Sequence, residues 1–272
     1  MNDAAGQVRI IGPESWGPGI DVIQGEGSWR EIIGPRIGAK LRSMYAVTLS
    51  KGAATIFLKH PHEAVYYVID GEVRIESSTN ASETIPEGGM IHIRAYTDYR
   101  LFAEADANII GGPAPVDITF GTPAAAVPLP EAGVPGEVGV RVFHRDRPGL
   151  MVPMISADAR LVIWYGEGAV GANMNYVVLE PGERNTEHVH VYSEDTIYIL
   201  EGRGTAEDVT NSLALEFGPG DAVHIPPGVI HAIAADRGER VVTAGGPCPA
   251  DLDMLRMAGV DVDALTAAME FA

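Results

Sequence analysis

Two stretches in the second half of the chain decide its fold: PGERNTEHVHVYSEDTIYILEGRG (181–204) and FGPGDAVHIPPGVIHAIA (217–234). In both, runs rich in Val, Ile, Tyr and Thr are bounded by Gly, Pro, Asn and Asp, which is the pattern of short β-strands joined by turns. Similar runs recur through most of the chain, and apolar residues take helical spacing only in 250–272. The sequence therefore predicts a mostly β protein with a short C-terminal helical tail.

The same stretches contain three histidines in a suggestive arrangement, His188, His190 and His231. Residues two apart in a strand point to one face, and the Pro-Pro-Gly turn before His231 returns the chain toward the same interior. Neutral imidazole is a common ligand for divalent metals. A carboxylate follows at Glu194 or Asp195: simple strand alternation favours the first, whereas an intervening turn favours the second. Three imidazoles and one carboxylate leave coordination positions open, as catalytic metal sites do.

An internal repeat relates the two halves of the chain. AVYYVIDGEVRIE (64–76) matches DTIYILEGRGTAE (195–207), and EGGMIHIRAYTDY (87–99) matches GPGDAVHIPPGVIH (218–231). The two blocks occur in the same order and at a nearly constant offset, so each half is expected to be one β domain.

The repeat and the composition together predict the domain boundaries. We expect an N-terminal domain over 1–112 and a C-terminal domain with the helical tail over 138–272. The stretch 113–137 is rich in Pro, Gly and Ala and is expected to be a linker.

The first copy lacks most of the metal ligands. Leu58, Ala64 and Tyr99 stand where the second copy has His188, Asp195 and His231, and only His60 has a histidine counterpart, His190. This half is therefore not expected to hold a metal in the same way. The alternative left open is an unorthodox site formed by His60, His62 and Glu63.

The two histidine-bearing stretches resemble the two signature motifs of the cupin superfamily. The spacing of the first motif is met by Gly182, His188, His190, Asp195 and Gly202, and that of the second by Gly220, Pro226, Gly228 and His231. Two departures stand out: Ala235 replaces the Asn that ends the second motif, and Asp195 stands where metal-binding cupins usually have Glu. The resemblance implies two tandem jelly-roll β-barrels, with one divalent transition metal in the C-terminal barrel and a degenerate N-terminal barrel.

The resemblance also implies a function class. Fe, Mn or Ni are the expected metals, with Zn and Co as further candidates. The expected activity is that of a dioxygenase or related oxidoreductase acting on a small oxygenated organic acid or phenol-like substrate, as in quercetinase-like proteins. The alternatives are Lewis-acid chemistry (a hydrolase like the ureidoglycine aminohydrolases, an isomerase, a lyase or a decarboxylase) and non-catalytic small-molecule binding. Tyr198 and Asn175 are the candidate substrate-binding residues.

Charge and composition limit the partners. The formal net charge of −18 argues against binding to nucleic acid or to an anionic membrane surface. No apolar run is long enough to span a membrane, and one cysteine, Cys248, cannot form an internal disulfide. We expect a cytoplasmic protein that binds a small-molecule substrate and forms a homo-oligomer, most simply a dimer.

Overall fold

The computed structural model describes residues 6–78, 82–130 and 138–270. Its contacts divide the chain into two compact units, one comprising Pro13–Arg147 and the other combining Met1–Gly12 with Pro148–Ala272. These units differ from the expected domains 1–112 and 138–272 at both ends. The reason is strand pairing: strand β1 (Arg9–Ile11) pairs with 222–225, and residues 140–144 pair with 89–93.

The unit Pro13–Arg147 is built from two antiparallel sheets. Its strands are β2 (Ile23–Gln24), β3 (Gly27–Ile33), β4 (Met44–Leu49), β5 (Ala54–Thr55), β6 (Glu63–Asp70), β7 (Glu72–Glu76), β8 (Glu83–Pro86), β9 (Gly89–Ile93), β10 (Arg100–Ala103), β11 (Ala107–Ala114) and β12 (Val140–His144). One sheet has the order β12-β9-β6-β11-β4-β3 and the other β2-β5-β10-β7-β8. The core contains large buried aromatic side chains, Trp29, Tyr66 and Tyr99 among them.

The other unit repeats this architecture. Its remaining strands are β13 (Leu150–Met151), β14 (Asp158–Ile163), β15 (Met174–Leu179), β16 (His188–Val189), β17 (Glu194–Glu201), β18 (Gly204–Asp208), β19 (Leu213–Phe217), β20 (Ala222–Ile225), β21 (Ile230–Ala235) and β22 (Val241–Cys248). The sheet orders are β1-β20-β17-β22-β15-β14-β13 and β16-β21-β18-β19. Helices α1 (Leu252–Met257) and α2 (Val262–Glu270) follow. The prediction of a mostly β chain with two jelly-roll barrels and a helical tail is confirmed.

The first part of the segment 113–137, which was expected to be a linker, is packed into the N-terminal barrel. Strand β11 runs to Ala114, Asp117 and Ala124 are buried, and residues 124–126 form a 3₁₀ turn. The Pro and Ala content that suggested a linker instead belongs in part to a buried strand and the turns after it. Residues 131–137 of the expected linker lie outside the described part of the chain.

Strand register supports the alignment of the two repeat copies. His188 pairs with His231 in one unit, and Leu58 forms the corresponding bridge with Tyr99 in the other. The pairing of β17 with β20 likewise matches that of β6 with β9. The two barrels can therefore be compared side chain by side chain.

None of the helices among the described residues is long and apolar enough to cross a membrane.

Candidate metal centre

Three imidazoles converge in the C-terminal barrel. His188 on β16 and His231 on β21 face each other across a strand pair, with ring centroids 4.3 Å apart. His190 follows directly after β16, and the three side chains each place one ligand nitrogen within 4.8 Å of the other two. The HxH spacing brings both of its histidines to this point because alternate residues of an extended segment share a face.

Each of these imidazoles has its Nδ1 engaged by a protein oxygen. Two of the partners are backbone carbonyls, which only accept hydrogen bonds, so the corresponding Nδ1 atoms carry the hydrogen and the Nε2 atoms keep their lone pairs. The partners of His188, His190 and His231 are the Thr186 carbonyl at 2.8 Å, Asp251 Oδ2 at 2.6 Å and the Val229 carbonyl at 3.0 Å.

Asp195 is the carboxylate that joins the histidines. Its Oδ2 lies 3.7 Å from His190 Nε2 and 3.8 Å from His231 Nε2. Glu194 lies on the other face of β17, with its Oε2 3.8 Å from His224 Nε2. The bend at 191–192 interrupts the alternation that starts at the HxH segment, so simple strand parity wrongly favours Glu194 for this face.

The buried polar atoms at this point fit a metal ion. His231 Nε2 and Asp195 Oδ1 are buried, and neither has a hydrogen-bond partner among the described residues. An unsatisfied buried group costs about 1–3 kcal/mol, more when it is charged. A divalent cation satisfies His231 Nε2 and offsets the charge of the Asp195 carboxylate, whose Oδ2 is the oxygen nearest the histidines. A set of three imidazole nitrogens and one carboxylate oxygen suits Fe, Mn, Ni, Co or Zn.

Burial and neighbouring charges set the protonation of the imidazoles. Burial and the nearby His188 lower the pKa of His231 to about 4. Burial, together with His190, also lowers the pKa of His188. Burial opposes protonation of His190 too, but the hydrogen bond to Asp251 and the charge of Asp195 outweigh it, so the pKa of His190 is raised. At neutral pH His188 and His231 are therefore in the uncharged form that binds metals.

A small, mostly apolar cavity opens onto these side chains. Its volume is about 60 Å³. A single water needs about 10–15 Å³, so the cavity has room for about four to six non-hydrogen atoms. Among the described residues that line it, none is a lysine or an arginine. Besides the four residues above, it is lined by Ile155, Asn175, Val177, Leu179, Asn185, Ile197, Ile233, Thr243, Gly245, Gly246, Pro247 and Met254.

A family model for the cupin domain matches residues 175–243, the stretch that carries His188, His190, Asp195 and His231. This stretch is a cupin domain. The matched stretch runs from β15 into β22, so it spans the strands of the C-terminal barrel that carry the three histidines and Asp195.

Solved structures share the fold of this cupin over most of its length. Bacillus subtilis oxalate decarboxylase, in a study of its Mn(II) centres, superimposes with a TM-score of 0.65 at 14% identity, covering 92% of this chain and 79% of that one. The formate complex of Lactobacillus farciminis oxalate decarboxylase gives 0.64 at 16% identity, covering 92% and 88%. Protein YlbA from E. coli gives 0.62 at 16% identity, covering 90% and 94%. At such low identity these likenesses establish the fold.

A curated relative is similar over a short stretch. The polyketide synthase CurC of Streptomyces cyaneus is 47% identical over 36 residues, which is 13% of this chain. The match spans only 23% of the length of that relative, so the likeness is local.

The two side chains expected to bind substrate have different surroundings in this cupin. Asn175 lines the cavity, and its buried Oδ1 has no hydrogen-bond partner among the described residues. Tyr198 does not line the cavity, because it lies on the face of β17 opposite Asp195 and Ile197. The motif spacing did not show on which face of β17 Tyr198 lies.

Asp251 contacts the candidate site, and the sequence patterns above did not single it out. It lies beyond β22, 61 residues after His190, whose Nδ1 it binds. A third repeat block would have indicated it: GGPCPAD (245–251) matches GGPAPVD (111–117) at every position except 248 and 250. The block ends in Asp251 in one copy and Asp117 in the other.

The N-terminal barrel fills the equivalent space with aromatic side chains. His60 Nε2 lies 2.6 Å from the Tyr99 hydroxyl, which lies 2.5 Å from the Tyr66 hydroxyl. The ring of Phe120 stacks on His60 at 5.3 Å between centroids. Tyr99 thus occupies the position of a ligand. Among the described residues, His60, His62 and Glu63 do not form a metal-ligand cluster.

Proposed function

We propose that this cupin is a metal-dependent enzyme whose C-terminal barrel holds one divalent transition metal through His188, His190, Asp195 and His231. The observation that carries the proposal is the convergence of three imidazoles on a buried carboxylate at the end of a small cavity. Of the possible activities, we favour a dioxygenase or related oxidoreductase acting on a small oxygenated molecule. When bound, the metal would supply oxygen activation beside a chelated substrate or Lewis-acid polarisation of a carbonyl.

The cavity walls point to the kind of substrate. Six aliphatic or thioether side chains line it, so water is largely displaced when an organic molecule enters. No lysine or arginine is among the described lining residues, so the metal would be the main positive charge in the cavity. Asp195 offsets part of that charge, which favours a neutral or singly charged molecule over a dianion. A small dicarbonyl or enol group fits both the size and the polarity, and a phenol-like ring fits if part of it extends out of the cavity mouth.

Two polar side chains can handle the proton and orient the substrate. The unpartnered Oδ1 of Asp195 can accept a proton from a hydroxyl or enol brought against it. Asn175 places its amide on the cavity wall, and its Oδ1 can accept a hydrogen bond from a substrate that reaches it. Together they would fix which end of an asymmetric molecule points to the histidines.

Lewis-acid chemistry is the second candidate. It is supported by the local likeness to a polyketide synthase, because polyketide chains carry 1,3-dicarbonyl units with two oxygens at chelating distance. A base at Asp195 is also suited to enolisation of such a unit. The fold shared with oxalate decarboxylases is compatible with this candidate.

Elemental analysis followed by an oxygen-electrode screen tests the proposal. We expect near-stoichiometric Fe, Mn or Ni in the purified protein, and oxygen uptake with a catechol or a 1,3-diketone. Metal without oxygen uptake, but with turnover of the diketone, would favour the Lewis-acid candidate. Protein that takes up no metal would instead favour a non-catalytic binding module.

Histidine variants locate the metal. His188→Ala and His231→Ala should each lose most of the bound metal and at least 100-fold of the activity, because each removes one of four ligands. His144→Ala is the control, since His144 is partly exposed and lies in the other compact unit. Full metal content and activity in both ligand variants would overturn the proposal.

A further inference from the structure

One carboxylate joins the metal centre to helix α1. Asp251 Oδ2 accepts a hydrogen bond from His190 Nδ1 at 2.6 Å. Its Oδ1 accepts from the backbone N–H groups of Asp253 and Met254, both at 3.0 Å, which makes Asp251 the N-cap of α1. The two oxygens of a single side chain thus hold a ligand and a helix end at the same time.

The capped helix also forms part of the cavity. Met254 on α1 is buried and lines the cavity that opens onto the histidines. A change in the orientation of His190 can therefore move Met254 in the cavity wall, because Asp251 binds both His190 and the first turn of α1.

The N-terminal barrel contains the same pair without the other ligands. Asp117 Oδ2 lies 3.1 Å from His60 Nδ1, and its Oδ1 accepts from the backbone N–H of Thr119 at 2.8 Å. In that barrel the Nε2 of His60 meets the Tyr99 hydroxyl. The pair Asp117–His60 therefore offers an internal control for a role of Asp251 toward the metal.

We propose that Asp251 is a positioning residue: it holds His190 with Nε2 aimed at the metal, and it couples metal binding to the docking of α1 against the cavity. The inference rests on the proposed metal function. Its physical basis is that a carboxylate bound to the far nitrogen of a ligating histidine fixes the tautomer and the ring orientation.

Two substitutions separate the cap from the contact with His190. Serine caps helices about as well as aspartate does, but its side chain is too short to reach His190, so Asp251→Ser keeps the cap and removes the contact. Asp251→Asn keeps the cap and a neutral acceptor near His190. Asp117→Ser is the matched control in the other barrel.

The test is a Co²⁺ titration of the full chain with chelator competition, read by visible absorption. Asp251→Ser should bind Co²⁺ about 10–100-fold more weakly than the wild type and with a changed ligand-field spectrum. Asp251→Asn should lose less, and Asp117→Ser should match the wild type in both affinity and spectrum. In the wild type, Co²⁺ should also slow hydrogen exchange in 252–257, and this slowing should disappear in Asp251→Ser.

The following outcomes would contradict the inference. Equal affinity and an unchanged spectrum in Asp251→Ser would overturn it while leaving the proposed function standing, and an equal loss in Asp117→Ser would trace the effect to general loosening. If Asp251→Ser does not fold, wild-type affinity and spectrum in Asp251→Asn overturn it. Wild-type protein that binds no Co²⁺ overturns the metal function as well.

Discussion

His60 and His190 occupy equivalent positions in the two barrels, and each shares its Nδ1 hydrogen bond with an aspartate. Their pKa values nevertheless shift in opposite directions. Burial lowers the pKa of His60 although Asp117 opposes it, whereas in His190 the same burial is outweighed by Asp251 together with Asp195. The extra carboxylate is one cause of the difference, because the first copy has Ala64 at that position, and the neighbouring His62, which lowers the pKa of His60, is another. Ala64 therefore contributes, together with Leu58 and Tyr99, to the loss of the ligand set in the N-terminal barrel.

The stability of the metal-free protein should fall in acid. The folded-state pKa of His231 is about 4, against an ordinary value of 6.5, so between these pH values the unfolded chain binds the extra proton. The free energy of unfolding should therefore drop by up to about 3 kcal/mol as the pH falls from 6.5 to 4. The raised pKa of His190 acts in a separate window: the stability it adds is complete below 6.5 and is lost as the pH rises through its folded value.

Urea denaturation of chelator-treated protein measures this effect. The wild-type midpoint should decline more steeply between pH 6.5 and 4.5 than that of His231→Gln, which lacks the titrating ring. Parallel curves for the two proteins would contradict the assignment of the acid sensitivity to His231.

At the scale of elements, β22 and β17 must lie close together for Asp195, on β17, to face the histidines. Gly245 has φ +152°, and a Cβ there would lie 1.9 Å from the Thr196 carbonyl oxygen. Two residues along the same ladder, Pro247 pairs with Asp195. The close contact between Gly245 and Thr196 sets the distance between β22 and β17, and with it the position of Asp195.

Gly245→Ala should lower the free energy of unfolding by more than about 1 kcal/mol and weaken Co²⁺ binding, because the added methyl group pushes β17 and β22 apart. Chemical denaturation and the Co²⁺ titration measure the two effects. Gly238→Ala is the control, since nothing lies within 4 Å of a Cβ at that position. A stable Gly245→Ala protein with wild-type affinity would contradict this account.

Sequence patterns predicted the parts of the molecule that depend on local spacing. The period of two in a strand placed His188 and His190 on one face, and the repeat identified the first copy as the one that lacks most of the ligands. Long-range pairing was not accessible in this way: Val8 binds Asp208 across 200 residues, which is why residues 6–12 could not be assigned to the C-terminal barrel. Asp251 was different, because the repeated block GGPxPxD carried a sequence signal for it, although not for its contact with His190. The choice between Glu194 and Asp195 depended on a bend that spacing alone does not reveal.

At the scale of the whole molecule, the chain completes its last barrel with its first described strand. Ile10 pairs with Val223, and the Val8 N–H donates to the fully buried Asp208 at 3.0 Å. The strand β20 that it covers also pairs with β17, on which Asp195 lies. The C-terminal metal centre therefore depends on residues at the opposite end of the sequence.

Deleting residues 1–12 should lower the urea midpoint of the C-terminal barrel and promote self-association, because it leaves the edge of β20 unpaired. Concentration-dependent light scattering measures the second effect. A synthetic peptide of residues 1–12 added in trans should restore part of the stability. A truncated protein with the same assembly state and the same stability as the full chain would show that β1 is dispensable.

The Asp117–His60 pair has a consequence for substitutions in the N-terminal barrel. Both side chains are buried and bonded to each other, so replacing one alone leaves the other short of a hydrogen-bond partner, at a cost of about 1–3 kcal/mol. Replacing both with apolar residues of similar volume removes the two polar groups together. The double replacement should therefore cost less free energy of unfolding than the sum of the two single ones.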